Sequence, residues 1–289
     1  MYPVIRNKDD VQILAQREFQ NADGTRTEYL TFPLLDACDA VSHVFTTRIG
    51  GVSKGIYSSM NLSYSRGDDE KCVDENFARI AKIFGKESGS IVCSDQTHTN
   101  HVLRVTAKDA GKGVTIPRDY TDIDGLITNE EELILACFYA DCVPVYFVDP
   151  VKRAIGLAHS GWKGTQGKIS HQVISAMERE FGTNKKDILA CIGPSICREC
   201  YEVSEDVASV FMDEMLYGSD VVTKTEKEGK YLLDLWGINK HLLLQAGILP
   251  EHIQVTDVCT CCNPDYLFSH RKSNGKRGNL GAFLMLRKS

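Results

Sequence analysis

Apolar residues along this chain fall mostly in short β-branched and aromatic runs bounded by turn signals. Four stretches instead carry the three-to-four-residue spacing of a helix. Residues 69–84 place Val73, Phe77, Ile80, Ala81 and Phe84 on one stripe, with Gly85 as a stop. Residues 168–181 do the same with Ile169, Val173, Ile174, Met177 and Phe181, closed by Gly182. Helices are also expected at 204–216, capped by Ser204, and at 235–246, stopping at Gly247. Strands are expected at 29–35, 44–47, 91–93, 114–116, 126–127, 133–139, 189–192, 253–258 and in the C-terminal N-L-G-A-F-L-M-L-R. Pro33 makes the first of these an edge strand at best, because proline cannot donate to a ladder. Asn21-Ala22-Asp23-Gly24 reads as a hairpin turn, and the charged residues 223–230 as a solvated loop. Irregular alternation with several hairpins predicts an α+β fold of mixed β-sheets layered with helices. No low-complexity linker or internal repeat breaks the pattern, so residues 1–289 read as a single domain.

The densest stretch is residues 140–165, A-D-C-V-P-V-Y-F-V-D-P-V-K-R-A-I-G-L-A-H-S-G-W-K-G-T. Apolar runs at 143–148 and 154–158 flank the turn signal Asp149-Pro150 and predict a hairpin, followed by a glycine-rich loop. In a hairpin the entrance of one strand faces the exit of the other, so Cys142 and His159 should come together. Such a pair can belong to a metal site or act as nucleophile and base.

Composition narrows the setting. Hydrophobic residues at 43% and charged residues at 25% suit a soluble globular chain. A formal net charge of −6 argues against a nucleic-acid partner. No apolar run is long enough to cross a bilayer, and the first ten residues lack the apolar core of an export signal. A cytoplasmic setting follows as the expectation, in which eleven cysteines are reduced thiols or metal ligands before they are disulfides. Cys38, Cys72, Cys93, Cys137 and Cys191 read as small buried hydrophobes. Neither GxGxxG nor GxxxxGK[ST] occurs, which excludes the common dinucleotide and P-loop signatures.

His98, in the polar loop Q-T-H-T after a strand, completes a His98–Cys142–His159 set drawn from three strand ends. Three protein ligands with one position left open describe a catalytic zinc site. His101 is a spare, while His43, His171, His241 and His252 sit in ordinary structural contexts. Two Cys-x-x-Cys pairs, Cys197/Cys200 and Cys259/Cys262, could hold a structural tetrathiolate zinc. Nothing local enforces that pairing across so long a separation, so one zinc per chain is the expectation. For an anion, the loop T-T-R-I-G-G-V-S-K-G offers Arg48, and the late loop S-H-R-K-S-N-G-K-R-G offers His270, Arg271, Lys272, Lys276 and Arg277. Of the late cations, Arg271 is expected to point inward.

Taken together, T-T-R-I-G-G-V-S-K-G, Q-T-H, D-G-L-I-T, A-D-C-V-P-V, H-S-G-W-K-G-T, G-P-S-I, C-Y-E-V and F-S-H-R resemble one family over nearly the whole chain. It is the YfiH/YlmD-type laccase-domain family, also called polyphenol-oxidase-like. Lys163 stands where that family more often has arginine, keeping the charge without the bidentate fork. The resemblance implies an α+β fold similar to a bacterial toxin deamidase, with His98, Cys142 and His159 as zinc ligands. It implies phosphorolysis of adenosine, guanosine, inosine and S-methyl-5′-thioadenosine to base and ribose 1-phosphate, and deamination of adenosine through zinc-bound water. Purine nucleosides and phosphate would then be the small-molecule partners. Zinc deaminases use an H-x-E glutamate that is absent here. Asp141 and Gln96 are therefore the expected acid–base or supporting groups, and Arg48, Lys163 and Arg271 the substrate contacts. Alternatives are a copper-dependent polyphenol oxidase, a Cys-His amidohydrolase and a non-catalytic metal-binding module. Eight histidines without a His-x-His pair fit a multicopper site poorly.

Overall fold

The computed structural model describes residues 2–6 and 12–289. The first ten residues, read above for an export signal, lie partly outside that range. Among the described residues no helix is long and apolar enough to cross a membrane.

The first half of the chain forms β1 (Ala15–Gln20), β2 (Arg26–Thr31), β3 (Val41–Thr46), β4 (Ile91–Cys93), β5 (Val102–Arg104), β6 (Gly125–Thr128) and β7 (Ile134–Tyr139). The predicted hairpin follows as β8 (Val143–Asp149) and β9 (Ala154–Ser160), then β10 (Leu189–Ile192) and β11 (Glu202–Ser204). The last strands are β12 (Val222–Lys224), β13 (Lys230–Leu233), β14 (Ile253–Val255) and β15 (Leu280–Leu286). One six-stranded sheet runs β1-β2-β3-β15-β7-β4, a second runs β14-β10-β8-β9-β6-β5, and β11-β13-β12 form a small third. The longer helices are α2 (Glu70–Ile83), α4 (Ile169–Phe181) and α7 (Leu235–Gln245). Short helices α1 (Pro33–Asp36), α3 (Trp162–Gln166), α5 (Glu205–Ala208) and α6 (Glu214–Tyr217) complete the set.

The layering explains the sequence pattern. Leu30, Phe45, Leu135 and Leu284 of the first sheet meet Tyr146, Val148, Ile155 and Leu157 of the second. The outer face of the first sheet packs Val44, Ile134 and Phe283 against Val73, Phe77 and Ile80 of α2. The outer face of the second packs Val143, Val145 and Ile192 against Val173 and Met177 of α4 and Leu242 of α7. With both faces covered, β8, β9 and β15 are buried along their whole length, so they read as continuous apolar runs without alternation. The mixed α+β architecture agrees with the expectation.

Several local expectations are corrected. Strand β2 ends at Thr31, and Pro33 instead opens α1 from its first turn, where a missing N–H costs nothing. Strand β2 lies between β1 and β3 and is no edge. Residues 114–116 turn back on Gly111, whose carbonyl accepts from Val114, Thr115 and Ile116, and form no strand. The helix expected over 204–216 is broken into α5, a 3-10 turn and α6, because the Asp213 carboxylate accepts from the N–H groups of Met215 and Leu216 and caps a new helix. Part of the charged loop at 223–230 is strand, in the β12–β13 hairpin. Strand β14 stops at Val255, where the Thr256 hydroxyl turns to accept from Val258 N–H. The glycine-rich loop after His159 is helix α3, with Gly161 at its cap. Cys72 is half-buried, whereas Cys38, Cys93, Cys137 and Cys191 are buried.

Candidate active site and metal centre

The register of the second sheet collects the chemistry at one end. Pro144 pairs with His159 and Val143 with Ser160, which places Cys142 beside His159 as the hairpin argument required. Gly125 pairs with Ala158 and with Val102, so Asp124 and the loop before β5 reach the same end. One donor atom from each of His98, Cys142 and His159 lies within 4.8 Å of the others. Cys142 Sγ is 3.9 Å from His98 Nε2, and the two imidazoles meet edge to face at 4.9 Å between centroids. Gly161 passes over the set so closely that a Cβ there would lie 3.0 Å from His98 Cδ2 and 3.1 Å from Cys142 Sγ. Any side chain at 161 would intrude on the three donors.

Asp124 organises this group, and the sequence reading missed it. Its buried carboxylate bonds His159 Nδ1 at 2.7 Å, which leaves Nε2 as the ring nitrogen available to a metal. The same carboxylate accepts from the N–H groups of Thr97 (3.1 Å), His98 (3.2 Å) and Thr99 (2.8 Å), and so fixes the His98 loop. His98 takes a positive φ of 68° inside that turn. Asp124 lies in D-G-L-I-T, but nothing in the spacing shows that it faces His159 across the sheet.

Charges within the set reinforce one another. Burial pushes the Cys142 thiol up, but the charge and hydrogen bond of His159, then those of His98, bring it down to about 6. Burial pulls the His159 imidazole down, while the Cys142 charge and the Asp124 hydrogen bond lift it to about 9. Burial also opposes ionisation of Asp124, and bonds from His159 and the Thr99 and Thr97 amides outweigh it, holding the carboxyl at about 2. A thiolate and two imidazole nitrogens converging on one point suit a borderline-soft ion such as zinc or copper. The donor set therefore fits a metal.

A cavity of about 290 Å³ opens beside the three donors. Tyr64, Phe77 and Phe138 give it an aromatic wall, with Tyr64 stacked on Phe77 at 5.7 Å and Phe77 edge-on to Phe138 at 5.8 Å. Arg66, Arg118 and Arg277 are its cations. Arg118 is paired with Asp95 at 2.8 Å. Arg277 is only 9% exposed, and its Nε has no hydrogen-bond partner among the described residues. Burial first, and then the neighbouring charge of Arg66, lower its guanidinium to about 10. Its Nη1 donates to Gly278 O at 3.2 Å and to Asn279 Oδ1, so Nε, with the Arg66 charge nearby, is what it offers an anion.

The other expected site residues occupy different places. Gln96 lines the cavity, but its amide is clamped by Phe138, donating to the carbonyl at 2.7 Å and accepting from the N–H at 2.6 Å. Asp141 precedes Cys142 with φ 87°, yet its carboxylate turns away to accept from Thr260 Oγ1 (2.6 Å) and Arg271 N–H (2.7 Å). The Arg271 guanidinium donates to Glu202 O at 2.8 Å and lies over Tyr201, outside the cavity lining. Lys163 is exposed on α3, beside its neighbour Trp162. Arg48 donates to the carbonyls of Ser58 (2.9 Å) and Pro264 (2.6 Å), and lines a separate hollow that shares Arg277. The adjacent glycines answer a packing need, since a Cβ on Gly50 would come within 2.2 Å of Arg26 O and one on Gly51 within 2.1 Å of Ser59 O. The structure thus unites the three proposed metal ligands and Gln96, but does not bring Arg48, Lys163 or the side chain of Arg271 to them.

The four cysteines whose pairing had no local support also come together. Single donor atoms of Cys197, Cys200, Cys259 and Cys262 lie within 4.8 Å of one another. Strands β10 and β14 are parallel neighbours, and the Ser195–Cys259 bridge continues their register into the loops that carry both motifs.

The family described as "Multi-copper polyphenol oxidoreductase laccase" matches residues 42–287. The chain is 37% identical over 249 residues to purine nucleoside phosphorylase YlmD of Bacillus subtilis, spanning 85% of this chain and 88% of that one. Among solved structures it is similar to the Bacillus licheniformis hypothetical protein YfiH, with a TM-score of 0.84 and 37% identity over 90% of this chain and 96% of that one. It is also similar to YlmD from Geobacillus stearothermophilus, with a TM-score of 0.82 and 32% identity over 99% and 100% of the two chains.

Proposed function

This chain belongs to the multi-copper polyphenol oxidoreductase laccase family, and from that premise we propose that it is a zinc-dependent purine nucleoside phosphorylase that also deaminates adenosine. One observation carries the reading: the His98–Cys142–His159 donors, an aromatic wall and a buried arginine whose Nε has no partner among the described residues line one cavity. Relatives named purine nucleoside phosphorylase support it.

In phosphorolysis a phosphate oxygen forms a bond to ribose C1′ while the bond from C1′ to the purine nitrogen breaks, giving base and ribose 1-phosphate. Tyr64 and Phe138, backed by the buried Phe77, offer apolar surface for the base. Arg277, with Arg66, binds phosphate and lowers its repulsion toward the sugar. Asp124 keeps His159 in one tautomer and holds the His98 loop still, so the three donors stay in place through the reaction. Zinc held by these residues would supply a Lewis acid at the edge of the cavity, which is what hydrolytic deamination of adenosine demands.

A second reading has its own support, since Cys142 is poised as a thiolate beside a protonated His159, as in Cys-His hydrolases. A copper oxidase is the third. Product analysis separates them. Adenosine with phosphate should give adenine plus ribose 1-phosphate, and inosine plus ammonia with or without phosphate. Oxidation of a phenol only with added copper, and no purine product, would overturn the proposal. Iodoacetamide should label Cys142 slowly in the metal-loaded protein and faster after chelation; rapid labelling of the loaded protein with loss of activity would favour the hydrolase.

A further inference from the structure

We propose that Cys197, Cys200, Cys259 and Cys262 form a second, structural zinc site that fastens the two loops beneath the active-site wall. This inference is independent of the purine reading. Tetrahedral zinc with Zn–S bonds of about 2.3 Å requires sulfur–sulfur edges of about 3.8 Å. Cys197 Sγ lies 3.9 Å and Cys200 Sγ 3.5 Å from Cys262 Sγ, which matches that edge. Cys259 Sγ accepts N–H bonds from Cys197 at 3.2 Å and Cys262 at 3.4 Å. Those backbone donors hold the Cys259 sulfur in one orientation, as the partners around a metal ligand do. Cys197 and Cys259 are buried, and Cys200 and Cys262 half-buried, so a fourfold thiolate set here is closed to substrate. Four protein donors with no open position mark a structural site.

The place of the cluster shows what it would do. Thr260, between the two later cysteines, donates its hydroxyl to Asp141, and its N–H to Ser195 O at 3.0 Å. Ile196 N–H donates to Asp141 O at 3.0 Å, and Cys200 O accepts from Arg271. Asp141 sits next to Cys142 in sequence. A metal joining the 197–200 and 259–262 loops therefore stiffens the shelf from which Cys142 projects.

The test uses metal content and spectrum, not activity. Wild-type protein purified without chelator should carry two equivalents of zinc by elemental analysis, and Cys142→Ala, with the cluster intact, should keep one. Cobalt-reconstituted Cys142→Ala should show the intense sulfur-to-metal charge-transfer bands of a tetrathiolate site. The Cys200→Ser/Cys262→Ser double variant should lose one equivalent and exchange amide hydrogens faster at 195–200 and 258–262. Absence of zinc and of the cobalt bands in Cys142→Ala would overturn the proposal even if the double variant fails to fold. So would a native disulfide among the four cysteines.

Discussion

Two donor clusters stand at the same end of one sheet and differ in how they face solvent. His98–Cys142–His159 gathers three donors, one exposed, one half-buried and one buried, on the wall of a cavity. Cys197–Cys200–Cys259–Cys262 gathers four thiols beneath that wall, with Cys259 Sγ accepting from neighbouring backbone and none of the four in the cavity lining. The first set leaves room for a reactant; the second leaves none. Donor number and access, more than donor type, separate a reactive centre from a clamp.

Side-chain truncation should separate the two clusters most sharply. His98→Ala or His159→Ala should lower adenosine deamination by several orders of magnitude, because the Lewis acid is lost. Cys200→Ser should change turnover far less while lowering the melting temperature. Equal losses of turnover at constant fold would erase the distinction between the clusters.

Next in size is Asp124→Asn, which removes the carboxylate from His159 and loosens the His98 loop. Metal affinity at the three-donor site should fall roughly 10- to 100-fold, measured by competition with a chromogenic chelator. Unchanged affinity would demote Asp124 to a turn residue.

Both clusters show where sequence reasoning reached and where it stopped. Cys142 and His159 were legible because a hairpin is local: the apolar runs and Asp149-Pro150 fix which ends meet. The closeness of the four cysteines was not legible because it comes from parallel pairing of β10 and β14. That pairing links motifs 62 residues apart and leaves no turn signal between them. Asp124 was invisible for a similar reason, its partner lying across the β6–β9 pair. The cations illustrate a third limit. Arg48 and Arg271 stand in suggestive loops, but backbone carbonyls occupy their guanidinium groups. Arg277 also donates to Gly278 O and Asn279 Oδ1, and differs in being buried on the cavity wall with its Nε unpartnered among the described residues.

Arg277→Ala should therefore weaken phosphate use by about thirtyfold, the effect of losing one charged partner worth about 2 kcal/mol. The readout is the phosphate dependence of phosphorolysis, with deamination spared. Arg48→Ala should have a smaller effect on that dependence, and the reverse order would return the anion site to the Arg48 loop.

The mildest probe is pH. In metal-free protein the Cys142 thiol is held at about 6, so iodoacetamide labelling should be slow below that pH and rise to a plateau above it. In loaded protein the same rise should be suppressed. A midpoint near the ordinary cysteine value of about 8.5 would show that His159 and His98 do not hold the thiolate.

On the proposed function, reaction takes place in the cavity beside the three-donor site. The most direct measurement is a crystal structure of the zinc-loaded protein soaked with adenosine and phosphate, with anomalous data at the zinc edge. The expected result is a zinc peak among His98, Cys142 and His159, the purine against Tyr64 and Phe138, and phosphate at Arg277. Nucleoside bound elsewhere, with the cavity filled only by solvent, would contradict it.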